Sequence, residues 1–131
     1  MTAMISRRTV LAGSIALTAT VGIAEAKGIK FDQNAFDAAQ AAGKSIIVEI
    51  SAPWCPVCKA QKPIVASLAA KTAYKDVMVF QIDFDSQKNV LPKLSASSQS
   101  TLIAFKGKTE KKRSVGQTDA QIIEDHFKAS I

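Results

Sequence analysis

From about residue 30 onward the chain alternates between two hydrophobic rhythms. "SIIVEIS" (Ser45 to Ser51) and "VMVFQIDF" (Val77 to Phe84) are short, apolar, β-branched runs, the pattern of buried strands. Between and around them the spacing is helical. "FDQNAFDAAQAAGK" predicts a helix with Asp32 as its N-cap, Phe36 and Ala39 on one face and Gly43 as its stop. "KAQKPIVASLAAKTAY" predicts a second helix, kinked at Pro63 and ending near Tyr74. "SQKNVLPKLSASSQS" reads as a polar connection with one helical turn near Val90 to Leu94. "TLIAFKG" and "EKKRSVG" read as two strands joined by a turn at Gly107-Lys108. Thr118 with Gln121 three residues later forms a capping-box signature. It opens a last helix with Ile122, Ile123 and Phe127 as its apolar stripe. The order is that of an α/β sandwich whose last strands form a hairpin.

The N-terminus follows different rules. "MTAMISRRTVLAGSIALTATVGIAEAK" has adjacent Arg7 and Arg8, then an uncharged apolar run from Thr9 to Ile23, then Ala24-Glu25-Ala26. A basic start, a short apolar core and a small-x-small site describe an export signal peptide. The run is shorter than the ~20 residues of a membrane-spanning helix. "SRRTVLAG" resembles the twin-arginine export motif, with Val10 where Phe is favoured. Residues 1–26 are therefore expected to be a cleaved signal peptide, and residues 27–131 one domain in the periplasm or otherwise exported. No stable membrane insertion is expected after cleavage.

Composition narrows the function. The 131 residues suit a single domain, 47% of them hydrophobic and 21% charged, as in ordinary globular proteins. The formal charge is +6; loss of Arg7, Arg8 and Glu25 with the leader leaves 15 basic and 10 acidic residues, or +5. The one basic cluster, "KGKTEKKR" (Lys106 to Arg113), has no aromatic residues interleaved. It reads as a solvated hairpin, and no nucleic-acid partner is expected.

Both cysteines, Cys55 and Cys58, fall in "SAPWCPVCKAQKP". Three uses compete: a structural staple, half a metal site, or a reversible redox pair. Structural zinc takes four ligands, and the chain offers two Cys and one His, His126, in the last helix. A staple spanning only Cys55 to Cys58 constrains the unfolded chain little. The redox use fits the surroundings. Cys55 lies at a strand-to-helix junction, where free backbone N–H groups and the helix dipole favour a thiolate. Cys58, one turn on, is placed to resolve a mixed disulfide, and Pro56 suits the first helical turn. Cys55 is expected to be the accessible thiol and Cys58 the hidden one.

Here the sequence resembles the thioredoxin superfamily. "VEISAPWCPVCKAQKP" is similar to that family's active-site strand, loop and helix, with Trp54 before the first Cys, Lys59 after the second and Pro63 at the kink. "STLIAFKGKTEKKRSVG" follows the family's terminal hairpin, with Gly116 in its glycine slot. The resemblance spans roughly Phe31 to Ile131. It implies a thioredoxin fold: a central mixed β-sheet flanked by helices, with a C-terminal β-hairpin and helix. It also implies a thiol–disulfide oxidoreductase that exchanges disulfides with protein thiols and needs no cofactor. The expected partners are protein clients and an unidentified electron donor or acceptor, with the protein itself a monomer. Pro-Val between the cysteines is neither the Gly-Pro of reducing thioredoxins nor the Pro-His of the strong periplasmic oxidase.

Glu49 occupies the position where thioredoxins carry a buried Asp. In an alternating strand it points opposite to Val48 and Ile50. Burial would raise its pKa, fitting it to relay a proton to or from Cys58 and leaning the assignment toward a reductase. Gln81 stands where a Lys is usual. The other residues assigned to the site are Trp54 as a part-exposed platform, with Pro56, Ser100 and Thr101 as further substrate contacts. Asp83 and Asp85 read as a solvated strand end, and Tyr74 and His126 as surface or core-edge residues.

The family places a cis-proline before the Thr that opens its third core strand. "SSQSTLIAF" puts Ser100 there. A non-proline cis bond costs ~2.5–4 kcal/mol, so Gln99–Ser100 is expected to be trans, with the loop seated differently over Cys55. In the family this proline aligns substrates and keeps metals from the thiolates. Ser100→Pro is thus expected to raise reductase activity. The alternative function is a non-catalytic metal or iron–sulfur binder.

Overall fold

In the computed structural model, residues 28–131 are described. The signal segment read over residues 1–26 lies outside them. The elements are β1 (Ile29–Lys30), α1 (Gln33–Ala41), β2 (Ser45–Ser51), α2 (Pro56–Ala69), a 3-10 turn (Thr72–Tyr74), β3 (Met78–Asp83), a 3-10 segment (Lys88–Leu94), β4 (Thr101–Lys106), β5 (Thr109–Val115) and α3 (Ala120–Ser130). The strands form one sheet in the order β1-β3-β2-β4-β5. β3 runs parallel to β1 and β2; β4 runs antiparallel to β2 and β5. The expected mixed sheet flanked by helices is the one formed.

β2 is the centre of the molecule. All seven of its residues are buried, because strands pair on both its edges and helices cover both its faces. Val48 and Ile50 point into one core with Phe31, Phe36, Phe80, Ile103 and Phe105, beneath α1 and the 3-10 segment. Within it Phe36 meets Phe80 and Phe105 edge-on, with centroids 5.6 Å apart in each pair. Ile47 points into the other core, with Val65 and Leu68 of α2 and Ile123 and Phe127 of α3. Asp32 caps α1 as expected, its carboxylate accepting from the Ala35 N–H at 2.8 Å.

Several boundaries differ from the sequence reading. β1 was not foreseen, since two residues carry no period. α2 stops at Ala69, because Lys71 is extended and the chain turns back. That turn buries Tyr74, placing its hydroxyl 2.9 Å from Glu124. The N-cap of α3 is Asp119 rather than Thr118: its carboxylate accepts from both the Gln121 and Ile122 N–H groups. The buried stripe of α3 accordingly runs through Ile123, His126 and Phe127, with Ile122 only half-buried. His126 is thus a fully buried core residue rather than a surface or core-edge one. Its Nδ1–H donates to the Ile122 carbonyl and its Nε2 faces the Ser114 hydroxyl, both at 2.9 Å. Burial holds its pKa below the usual histidine value.

Candidate active site

The site forms where β2 ends and α2 begins. The chain leaves the sheet at Ser51, turns through Ala52 to Trp54 and enters α2 at Pro56. Pro56 occupies the first helical turn, where its missing N–H costs nothing. Cys55 is the N-cap, and its sulfur accepts from the Cys58 N–H at 3.1 Å. A cysteine here takes the place of the oxygen-bearing caps usual at this position. The charge that such a sulfur can carry is the one that the end of a helix favours. Cys55 and Cys58 are disulfide-bonded, with their Cα atoms 5.3 Å apart.

Both cysteines are buried, Cys55 at 2% and Cys58 at 0% exposure. The expectation of an accessible Cys55 concerns the reduced thiol; in the disulfide, Ser100 lies against its sulfur. Trp54 is 57% exposed, as a platform would be. It is also fastened: its indole N–H donates to Asp85 at 2.8 Å, and its ring meets Phe84 edge-on. Asp85 was read only as a solvated strand end. The signal that could have found it is an exposed indole in need of an acceptor. Asp83 is turned to local use, accepting from the Asp85 and Ser86 N–H groups.

Glu49 is 1% exposed, on the face of β2 that α2 covers. It lines a cavity of about 30 Å³ with Gly28, Lys62, Val65, Ala66, Ala69, Val79 and Gln81. That is space for a water molecule, beside a carboxylate oxygen, Oε1, with no protein partner. Burial raises the Glu49 pKa above its ordinary 4.5; the Lys62 charge and a long 3.5 Å bond from Gln81 pull in the opposite direction. The cation absent at Gln81 is thus replaced in kind by Lys62 from α2, four residues after Cys58 and so on the same helical face.

Ser100 and Thr101 are placed differently from each other. No peptide bond among the described residues is cis, so Gln99–Ser100 is trans as expected. Ser100 takes φ +58°, in the left-handed region. Its hydroxyl lies 3.4 Å from the Cys55 sulfur. Proline is locked near φ −65° and cannot adopt this conformation, so Ser100→Pro requires this loop to rearrange. Thr101 is 2% exposed and its hydroxyl donates to the Ser98 carbonyl at 2.7 Å. Its side chain closes a turn, so any contact with a client would be through its backbone. Pro56 is exposed beside Cys55.

Gln61 was not foreseen. It is wholly buried, and its amide N–H₂ donates to the Ser100 carbonyl at 3.1 Å and the Gln117 carbonyl at 2.8 Å. Among the described residues no three His, Cys, Asp or Glu side chains gather as a metal set would. Nor is any described helix long and apolar enough to cross a membrane.

The thioredoxin family model matches residues 27–129. Thioredoxin-2 of Saccharomyces cerevisiae is 36% identical over 88 residues, covering 66% of this chain and 83% of that one. The thioredoxin of Chlamydia trachomatis is 36% identical over 74 residues, covering 56% and 71%. Among solved structures, Trxlp from Edwardsiella tarda superposes with a TM-score of 0.74 at 38% identity, covering 77% of this chain and 98% of that one.

Proposed function

We propose, since the chain belongs to the thioredoxin family and is a thiol–disulfide oxidoreductase, that it reduces disulfides of protein clients outside the cytoplasm. The observation that carries the redox assignment is the Cys55–Cys58 disulfide at the N-terminus of α2, with the Cys55 sulfur already accepting a backbone N–H. Reduced Cys55, as a thiolate, attacks one sulfur of a client disulfide. A mixed disulfide forms and the client's other sulfur leaves as a thiolate, which takes a proton from water. Cys58 then gives up its proton and attacks the Cys55 sulfur. The client's second thiolate departs, and the protein is left with the Cys55–Cys58 disulfide. Two electrons have passed to the client; a dithiol donor must restore them.

Glu49 is the proton acceptor for Cys58 in this scheme. A carboxyl with a raised pKa is nearer to balance with a thiol at neutral pH than an ordinary one. The cavity beside it suits exchange of that proton with solvent. Trp54, held by Asp85, and Pro56 form the exposed rim on which a client rests. Export rests on Arg7, Arg8 and the Ala24-Glu25-Ala26 site. The metal-binding alternative draws on no observation of the described residues.

The redox test is insulin reduction by the dithiothreitol-reduced protein, with the reduction potential of the pair. A potential near thioredoxin's, about −270 mV, supports a reductase; one near −120 mV would make it an oxidase. The export test is fractionation of cells carrying the full chain, with Arg7→Lys and Arg8→Lys combined. Retention of that variant, with wild type maturing to a chain that starts at Lys27, is the expected result.

A further inference from the structure

The buried contacts around Ser100 point to a thiolate-stabilising device in this chain. Ser100 is 5% exposed, and the Cys55 sulfur is the partner its hydroxyl has, at 3.4 Å. A disulfide sulfur has no proton to give, so the hydroxyl is the donor. It holds this place because the backbone takes φ +58°, an uncommon conformation for a residue other than glycine. Such a conformation persists where its surroundings enforce it. Here two donors converge on the Ser100 carbonyl: the Gly116 N–H at 2.9 Å and the Gln61 amide at 3.1 Å. The same Gln61 amide reaches the Gln117 carbonyl at 2.8 Å, tying the Ser100 turn to the end of the hairpin. The amide's own oxygen is buried without a partner, a cost that a polar side chain chosen for packing alone would not carry.

We propose that the Ser100 hydroxyl is a catalytic hydrogen-bond donor to the Cys55 thiolate, and that Gln61 is the positioning residue that aims it. The proposal rests on the redox reading above and deepens it. A disulfide sulfur is a weak acceptor and a thiolate a strong one, so the bond strengthens when the pair is reduced. Cys55 then receives two donors, the Cys58 N–H at the helix end and the Ser100 O–H from the opposite loop. Both favour the anion that attacks the client.

The test is alkylation of the reduced protein with iodoacetamide across pH, with labelling at Cys55 and Cys58 separated by mass spectrometry. Ser100→Ala and Ser100→Gly both delete the hydroxyl, while only glycine is at ease at a positive φ. Equal effects therefore belong to the hydroxyl and not to the backbone. Both variants are expected to raise the Cys55 midpoint by about one pH unit. Both should also shift the equilibrium with glutathione toward the disulfide, by up to about tenfold. Gln61→Met should raise the midpoint in the wild-type background and do nothing further in Ser100→Ala, as coupled groups do. Gln61→Leu repeats the cycle if the methionine variant fails to fold. An unmoved midpoint in both Ser100 variants overturns the role of the hydroxyl. A Gln61 effect that survives undiminished in Ser100→Ala overturns the positioning. Insulin reduction by the wild type is scored separately: its failure sinks the reductase reading and leaves the thiolate measurement intact.

Discussion

Replacing Glu49 by Gln keeps the shape of a buried side chain and removes its ability to ionise. The structure sets the sign of the result. The folded protein raises the Glu49 pKa above 4.5, chiefly by burial, so the folded state holds this proton more tightly than the unfolded chain does. Below 4.5 the residue is neutral in both states and its contribution to stability is fully present. As pH rises through the folded pKa that contribution is lost, because ionising a buried carboxyl costs more than ionising a solvated one. The variant does not feel this loss. Its stability relative to wild type should therefore climb with pH from the ordinary carboxylate range and level off above the folded pKa. One proton limits the slope to about 1.4 kcal/mol per pH unit. Urea unfolding of the oxidised proteins between pH 4 and 9 measures it, since the intact disulfide keeps redox chemistry out of the comparison. The same substitution should slow disulfide exchange near neutral pH, where general acid–base help is typically worth ~10²–10⁴-fold. A stability difference that does not vary with pH would refute the burial argument. Exchange rates unchanged at every pH would remove Glu49 from the mechanism even if the stability profile behaved as described.

Other outcomes follow from the same geometry. Lys62→Met should raise the Glu49 pKa further, so that the loss of stability continues to higher pH and is larger in total; because Lys62 is exposed, added salt should reproduce part of the effect in wild type, checked by the same unfolding profiles. Cys58→Ser should trap mixed disulfides with clients and Cys55→Ser almost none, seen on non-reducing gels; the reverse pattern would exchange the two roles. Asp85→Ala should free the Trp54 indole and weaken client binding more than it weakens exchange with a small disulfide, measured as a KM rise for insulin with little change toward glutathione disulfide. Ser100→Pro should destabilise the fold by more than about 1 kcal/mol in thermal unfolding, since proline cannot reach φ +58°.

What the sequence discloses depends on how local each cause is. β2 is legible to the residue because strand period, β-branching and burial agree over Ser45–Ser51. The Cys55 cap is legible because a proline in the next position marks the helix start. Glu49 stands out as one carboxyl in an apolar strand. Gln61 and Lys62 do not stand out, being polar residues in a helix that has other polar residues. What distinguishes them is the loop at Ser100 and the carboxyl on β2, both brought close only by folding. His126 escaped for a related reason: its partner Ser114 lies on a strand whose exposed neighbours suggested a solvated ribbon. Thr118 and Asp119 are both good caps, and only the path of the chain chooses between them.

The order of strands in the sheet has a consequence for synthesis. β2 is made early, yet one of its two neighbours, β3, spans Met78–Asp83, and the other, β4, begins at Thr101. Until a ribosome has delivered β4, a strand whose every residue is buried in the finished fold has an open edge, and Glu49 sits beside unformed walls. The leader proposed for residues 1–26, by contrast, would emerge first. A translocon that engages the chain during translation would meet it with the sheet unclosed and both cysteines exposed. A route that accepts only finished folds must wait until the C-terminal hairpin clears the ribosome, and by then the sheet can close around Cys58 and Glu49. Under the export proposed above, a protein whose chemistry depends on residues that only the completed sheet brings together would have the timing of its export set by the timing of its activation.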